Sequence, residues 1–130
     1  MVVALRPGKR ILVVEDDPDT RAMLASILET IGHQVDTAAN GQEALQHLHG
    51  RFRPDLILLD LMMPVMDGWE FRQHQNQDPE LAAIPVVLLS AADDGRRRRE
   101  FFGTARYLQK PFGVETLAML SDLFEEIEQH

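Results

Sequence analysis

Polar residues that could bind a metal ion or an anion follow four short runs of the sequence. They are Glu15 and Asp16 after 11–14, Asp60 after 56–59, Ser90 after 86–89 and Lys110 after 107–109. Short, mainly apolar runs are typical of strands in a parallel sheet buried on both faces, where ligands bind beyond the carboxyl ends of the strands. Three carboxylates meeting there would repel one another unless a divalent cation held them together, and a lysine and a hydroxyl could then bind an anion. The four runs therefore predict one site with the chemistry of phosphoryl transfer.

Helix signals lie between these runs. Asp17 can cap a helix that starts at Pro18, apolar residues then recur at helical spacing, and Gly32 ends the pattern. After a second strand, Asn40 and Glu43 resemble a capping box at the start of a second helix. Each of the first two strands is therefore followed by a helix.

The same alternation continues along the rest of the chain. Pro64 and the Asp67-Gly68 pair predict a loop before a third helix, and further helices are predicted at 93–102 and at 115–128. Five strand–helix units in succession predict an α/β domain with three layers. In such a domain right-handed crossovers place helices on both faces of a parallel sheet.

Length, composition and charge exclude several classes of protein. A chain of 130 residues with 45% hydrophobic residues predicts one domain. The net charge of −8 argues against bulk affinity for nucleic acid or for an anionic membrane, and the absence of cysteine excludes disulfides and thiolate metal sites. No apolar run is long enough for a signal-peptide core or a membrane span. We interpret the chain as a soluble cytoplasmic protein.

Four motifs occur in order at the predicted strand ends. They read ILVVEDD at 11–17, LDLMMPVMDG at 59–68, LSA at 89–91 and YLQKPF at 107–112. Together they resemble the receiver domain of bacterial two-component response regulators, in particular the stand-alone, chemotaxis-regulator-like members. The resemblance implies a receiver domain at 10–130 after an N-terminal extension at 1–9. It also implies a flavodoxin-like three-layer sandwich, with five helices and a five-stranded parallel sheet in the order 2-1-3-4-5.

The resemblance implies a phosphoacceptor and a metal site. Asp60 matches the carboxylate nucleophile that takes a phosphoryl group from a histidine kinase or a histidine phosphotransfer protein. Glu15 and Asp16 match the acidic pair that holds Mg²⁺, with Asp60 and the backbone carbonyl of Met62 as further ligands. A hard cation that prefers oxygen ligands suits this set.

The resemblance also implies how the phosphoryl group would be held and sensed. Lys110 matches the lysine that pairs with a phosphoryl oxygen, and Ser90 matches the hydroxyl that binds and senses the group. Tyr107 matches an aromatic switch residue that turns inward when this hydroxyl moves, although an aromatic strand residue could instead be part of the core. The expected output face comprises the helix at 93–102, the last strand and the helix at 115–128, and would bind a downstream protein target or form a homodimer.

The run Arg96–Arg99 departs from the family pattern, because apolar residues normally occupy part of this helix. We interpret the run as a solvated face whose side-chain stems lie on apolar surface, in preference to a patch for anions or nucleic acid. No sequence motif for nucleic-acid binding supports the second interpretation.

Three functions are compatible with the motifs. The preferred one is a signalling phosphoacceptor rather than an enzyme, with only slow Mg²⁺-dependent self-phosphorylation from small phosphodonors and slow self-dephosphorylation. A phosphorylation-independent docking scaffold is the second. The third is an aspartyl-phosphate phosphatase of the haloacid dehalogenase type, but such enzymes usually carry a second aspartate two residues after the nucleophile, where this chain has Met62.

Overall fold

Five parallel strands form a sheet with the order β2-β1-β3-β4-β5. The computed structural model describes residues 8–50, 53–90, 95–103 and 107–110. Its strands are β1 (Arg10–Val14), β2 (Gln34–Ala38), β3 (Leu56–Asp60), β4 (Val86–Ser90) and β5 (Tyr107–Gln109). Its helices are α1 (Pro18–Ile31), α2 (Gly41–His49), α3 (Gly68–Asn76), α4 (Pro79–Ala82) and α5 (Gly95–Phe102). The predicted parallel sheet and its strand order are confirmed.

The sheet separates two apolar layers. Leu12 and Val14 pack with residues of α2, α3 and α5, whereas Ile11 and Val13 pack with residues of α1. Successive strand side chains point to opposite faces, so β1 supplies both layers in turn. The central strand β3 is buried at every position, including its last residue, Asp60. The sheet therefore places the carboxylate of Asp60 at the carboxyl end of its buried central strand.

The helix ends form as the sequence predicts. The side chain of Asp17 accepts a hydrogen bond from the backbone N–H of Thr20 at 2.8 Å, and Pro18 is the first residue of α1. Gly32 ends this helix with a φ of 110°, a left-handed conformation that favours glycine. At α2, Asn40 Oδ1 accepts from the N–H of Glu43 at 2.9 Å. These caps fix where each helix leaves the strand end before it.

Some predicted elements differ or lie outside the described residues. The single turn α4, which Asp78 caps, was not predicted. The predicted helix at 93–102 is present from Gly95, and its first two residues fall outside the described ranges, as do the predicted helix at 115–128 and residues 1–7 of the predicted extension. Among the described helices, none is long and apolar enough to cross a membrane.

Helix α5 packs on α3 and β5 through arginines as well as through apolar side chains. Phe102 is buried, and Trp69 lies edge-on to Phe101 with ring centroids 5.3 Å apart. The guanidinium of Arg97 lies 4.3 Å from the centroid of Trp69, so the charged group itself, and not only its stem, contacts apolar surface. A planar, weakly hydrated guanidinium stacks well on aromatic rings. The exposure of Arg96, Arg97 and Arg99 agrees with the predicted solvated face, and the stacking of the Arg97 guanidinium on Trp69 is a contact that was not predicted.

A close approach at Gly68 brings the start of α3 against the end of β3. A Cβ at this position would lie 2.6 Å from the backbone oxygen of Asp60 and 2.9 Å from Cα of Leu61. We expect Gly68→Ala to lower the free energy of unfolding by roughly 1–3 kcal/mol, because the backbone must shift to admit the methyl group. Urea denaturation measures this change.

Gly50→Ala is the matched control, since a Cβ there would make only ordinary contacts, the nearest at 3.4 Å to the backbone oxygen of His47. It should change the free energy of unfolding by no more than about 0.5 kcal/mol. Equal effects of the two substitutions would contradict the close approach at Gly68.

Candidate functional site

Three carboxylates meet where β1 and β3 end. Glu15, Asp16 and Asp60 each place one oxygen within 4.8 Å of the others. Glu15 and Asp60 are buried, with Asp60 only 3% exposed, whereas Asp16 is exposed to solvent. This arrangement is the one that the sequence predicts from the polar ends of the strands.

The β1–α1 loop is held in place by hydrogen bonds at both acidic residues. The N–H of Glu15 donates to the carbonyl of Ala38 at 3.0 Å, and Oε2 of Glu15 accepts from the N–H of Asp17 at 3.1 Å. Nη1 of Arg21 donates to the carbonyls of Glu15 at 2.8 Å and Asp16 at 3.3 Å. Arg21 was not identified from the sequence, although its place one helical turn after Asp17 makes it the first long cation that can reach back to the loop.

Lys110 closes the site from the end of β5. Its Nζ lies 2.7 Å from Oε1 of Glu15 and 3.2 Å from Oδ2 of Asp60. Burial alone would lower the pKa of Lys110, but the hydrogen bonds and negative charges of Glu15 and Asp60 outweigh it and raise that pKa above its ordinary value. The lysine therefore stays protonated and acts as the counterion of the two buried carboxylates.

Asp60 is the carboxylate whose protonation is most affected. Burial first, and then the negative charge of Glu15, raise the pKa of Asp60 from 3.8 to about 7, against the opposing effects of the Met62 N–H and of Lys110. A divalent cation would relieve this repulsion. Three carboxylate oxygens, one of them on the solvent-exposed Asp16, also match the oxygen ligands and retained water that Mg²⁺ prefers. The residues present therefore fit Mg²⁺.

The raised pKa of Asp60 predicts a pH dependence of stability. Because the folded protein binds this proton up to about pH 7 and the unfolded chain only up to about pH 3.8, the contribution of Asp60 is most favourable at low pH and is lost as the pH rises through about 7. In the absence of metal, we expect Asp60→Asn to be more stable than the parent by an amount that grows with pH up to about 7 and is then constant. Urea denaturation of both proteins in EDTA measures this difference, and Mg²⁺ should diminish it. A difference that does not vary with pH would contradict the predicted protonation.

The β3–α3 loop, residues 61–67, carries the one positive φ found outside glycine in the described ranges. Val65 has a φ of 69°, and the N–H of Met66 donates to the carbonyl of Pro64 at 2.7 Å, which is the hydrogen bond of a γ-turn. A β-branched residue is strained in this conformation. The N–H of Met62 donates to Oδ1 of Asp60 at 3.2 Å. The sequence did not indicate the strain at Val65, because the turn-forming residues of the motif are the residues near Val65 and not Val65 itself.

The two remaining predicted site residues lie at opposite ends of neighbouring strands. Ser90 is the last residue of β4 and is paired with Gln109, so its backbone lies at the same edge as Asp60; its side chain is outside what the structure describes. Tyr107 is the first residue of β5, 37% exposed, with the guanidinium of Arg98 over its ring at 4.0 Å from the centroid. Tyr107 is therefore not a buried core residue in this structure, and Arg98 is a contact that sequence reasoning missed.

Comparison with known proteins gives one consistent result. The family model described as "Response regulator receiver domain" matches residues 11–121. The chain is 36% identical to Protein PilH of Pseudomonas aeruginosa, over 83% of this chain and 90% of PilH. It is 38% identical to the DNA-binding dual master transcriptional regulator RpaA of Synechocystis, over 83% of this chain, but it spans only 45% of that protein.

Solved structures agree with this result. The chemotaxis response regulator CheY4 of Vibrio cholerae is 30% identical, with a TM-score of 0.80 over 90% of this chain and 98% of CheY4. The receiver domain of the sensor histidine kinase PA1611 of Pseudomonas aeruginosa is also 30% identical, with a TM-score of 0.75 over 92% of this chain and 98% of that domain. That structure has a magnesium ion coordinated in its active-site cleft.

Proposed function

This chain belongs to the response regulator receiver domain family, and from that membership we propose that Asp60 accepts a phosphoryl group from a histidine kinase or a histidine phosphotransfer protein. The chain is a receiver domain homologous to the phosphoacceptor domains of two-component systems. The observation that carries the proposal is the position of Asp60, which ends the central strand with Oδ2 3.2 Å from Nζ of Lys110. In the described residues Glu15 is the other carboxylate in contact with this lysine, at 2.7 Å, and the proposal assigns Glu15 to the metal site together with Asp16.

The geometry supports a direct displacement by Asp60. A bond forms between one carboxylate oxygen of Asp60 and phosphorus, while the bond from phosphorus to the donor breaks and its electron pair leaves with the donor group. The attacking carboxylate must be ionised, and Lys110 favours that form. In the product, Lys110 is close enough to pair with a phosphoryl oxygen. Positioning and charge, rather than a general base, are what the site contributes.

Receiver domains bind Mg²⁺ in their active sites. We propose that in this chain Glu15, Asp16 and Asp60 hold the ion, together with the backbone carbonyl of Met62, and the convergence of the three carboxylates supports this set. When bound, the ion would neutralise charge on the phosphoryl group as it is transferred. Arg21 would keep the acidic pair in position by holding its two carbonyls.

Phosphorylation is proposed to change a surface formed by α5, β5 and the predicted helix at 115–128. Ser90 would bind the phosphoryl group, and Tyr107 would change position in response, so that a downstream protein target or a second copy of the chain is recognised. The half-exposed position of Tyr107 beside α5 supports this role, because the ring already contributes to the surface that would change.

Intact-mass measurement after incubation with acetyl phosphate tests the proposed function. With Mg²⁺ the protein should gain one phosphoryl group, and with EDTA it should gain none. No gain under either condition, with the protein folded by circular dichroism, would favour the phosphorylation-independent scaffold. Release of many equivalents of phosphate per protein, without an accumulated adduct, would instead favour a phosphatase.

A further inference from the structure

Helix α5 carries four consecutive arginines, and two of them lie over aromatic rings of different elements. The guanidinium of Arg97 is 4.3 Å from the ring centroid of Trp69 on α3, and that of Arg98 is 4.0 Å from the ring centroid of Tyr107 on β5. Arg99 is exposed and stacks on no ring of the described part of the chain. Helix α5 therefore carries two arginines that stack on a ring and, next to them, one that does not.

The two stacked arginines connect α5 with the two segments that lead to the site. Trp69 follows Gly68, whose N–H donates to the carbonyl of Leu61 at 3.1 Å, directly after Asp60. Tyr107 begins the three-residue strand that ends just before Lys110. Tyr107 is therefore joined to Lys110 through a short strand, and Trp69 is joined to Asp60 through the hydrogen bond between Gly68 and Leu61.

We propose that Arg98 is a positioning residue that holds Tyr107 in the half-exposed position described above and thereby opposes the phosphorylated state of the output surface. The proposal rests on the proposed function, because it names the residue that sets the balance between the two states of the same switch. Since a ligand shifts such a balance only by its different affinity for the two states, removing a contact made in the resting state alone should tighten binding of a phosphoryl mimic.

The expected size of the effect follows from the strength of the contact. A cation over an aromatic face at an exposed site contributes about 0.5–1 kcal/mol, which corresponds to a change of about two- to fivefold in an equilibrium constant. The exposed ion pair between Arg96 and Glu100, at 3.5 Å, should contribute less because both side chains are solvated.

The experiment compares Arg98→Met with Arg99→Met in the whole chain. Both remove one positive charge from α5, but only the first removes the contact with Tyr107. Beryllofluoride, titrated calorimetrically in the presence of Mg²⁺, is the phosphoryl mimic. Its dissociation constant should fall by about two- to fivefold in Arg98→Met and stay unchanged in Arg99→Met. Arg98→Lys, which keeps the charge but not the planar group, should be intermediate.

Tyr107 can be followed directly because it is the only tyrosine of the chain. Incorporated 3-fluorotyrosine gives one protein ¹⁹F resonance, which in Arg98→Met without ligand should shift toward its position in the beryllofluoride complex of the parent. In a Tyr107→Leu background, Arg98→Met should no longer change the dissociation constant.

The outcomes separate the inference from the function on which it rests. If the folded parent does not bind beryllofluoride with Mg²⁺, the proposed function fails. If the parent binds it but Arg98→Met binds no more tightly than Arg99→Met, or if the effect persists in the Tyr107→Leu background, the proposed role of Arg98 is overturned while the function stands.

Discussion

Asp60→Asn should gain no phosphoryl group from acetyl phosphate and Mg²⁺ under conditions in which the parent is fully labelled. An amide is not a useful nucleophile toward phosphorus, and the substitution keeps the shape of the side chain at the end of β3. The loss should be complete at the sensitivity of intact-mass detection. The same variant is expected to be folded, since removing a buried charge near Glu15 relieves repulsion.

The matched control is Asp55→Asn. Asp55 immediately precedes β3, at the opposite end from Asp60, where its side chain is exposed and accepts a hydrogen bond from the N–H of Arg10 at 2.8 Å. This variant should be labelled like the parent. A phosphoryl group on Asp60→Asn would mean that another residue is the acceptor, and peptide mapping of that product would identify it.

Lys110→Met should slow the phosphorylation of Asp60 by roughly 10²- to 10³-fold, the range found when one preorganised charge-stabilising group is removed from an active site. The reason is geometric, because Nζ of Lys110 already lies 3.2 Å from Oδ2 of Asp60. Among the cations of the described residues, it is the one placed to pair with the phosphoryl oxygens. The rate of adduct formation at saturating acetyl phosphate and Mg²⁺ measures the effect.

The chain offers a matched control for this lysine too, because Lys9 is its only other lysine. Lys9 precedes β1 and lies at the amino edge of the sheet, so Lys9→Met removes the same charge far from the strand ends that carry the carboxylates. Lys110→Met leaves two buried carboxylates without their counterion, which should lower the stability of the metal-free protein by roughly 3–5 kcal/mol. Both variants are therefore compared in Mg²⁺ and below their melting temperatures. Equal rates for the two variants would contradict the role of Lys110.

Much of the fold and the convergence of the site could be predicted because the relevant signals are local. Asp17 and Pro18 before an apolar periodicity are a local signal for a helix start, and a buried strand such as β3 appears as an uninterrupted apolar run. Since parallel strands end at one edge, the carboxylates at 15, 16 and 60 had to be near one another once the sheet was predicted.

The short helix α4 and the contacts between elements distant in sequence could not be predicted. Asp78 and Pro79 carry the same start signal as α1, but the helix that follows is one turn long and too short to show an apolar period. An arginine run is usually solvated, and nothing local to α5 shows that Trp69 and Tyr107 would lie beneath two of its members. The contacts were decided by how α3 and β5 pack beside that helix.

The left-handed backbone at Val65 makes the length of the β3–α3 loop matter more than its composition. The loop is anchored at Leu61, which bonds to Gly68, and at Met66, whose carbonyl accepts from the N–H of Gly41 at 2.8 Å. The residues between span the distance set by these two anchors, and Val65 has its left-handed conformation within that span. An inserted residue would relax Val65 but would also release the main chain of Met62, which lies next to Asp60. Sequence drift in this loop is therefore expected to replace the exposed side chains freely while insertions and deletions are eliminated.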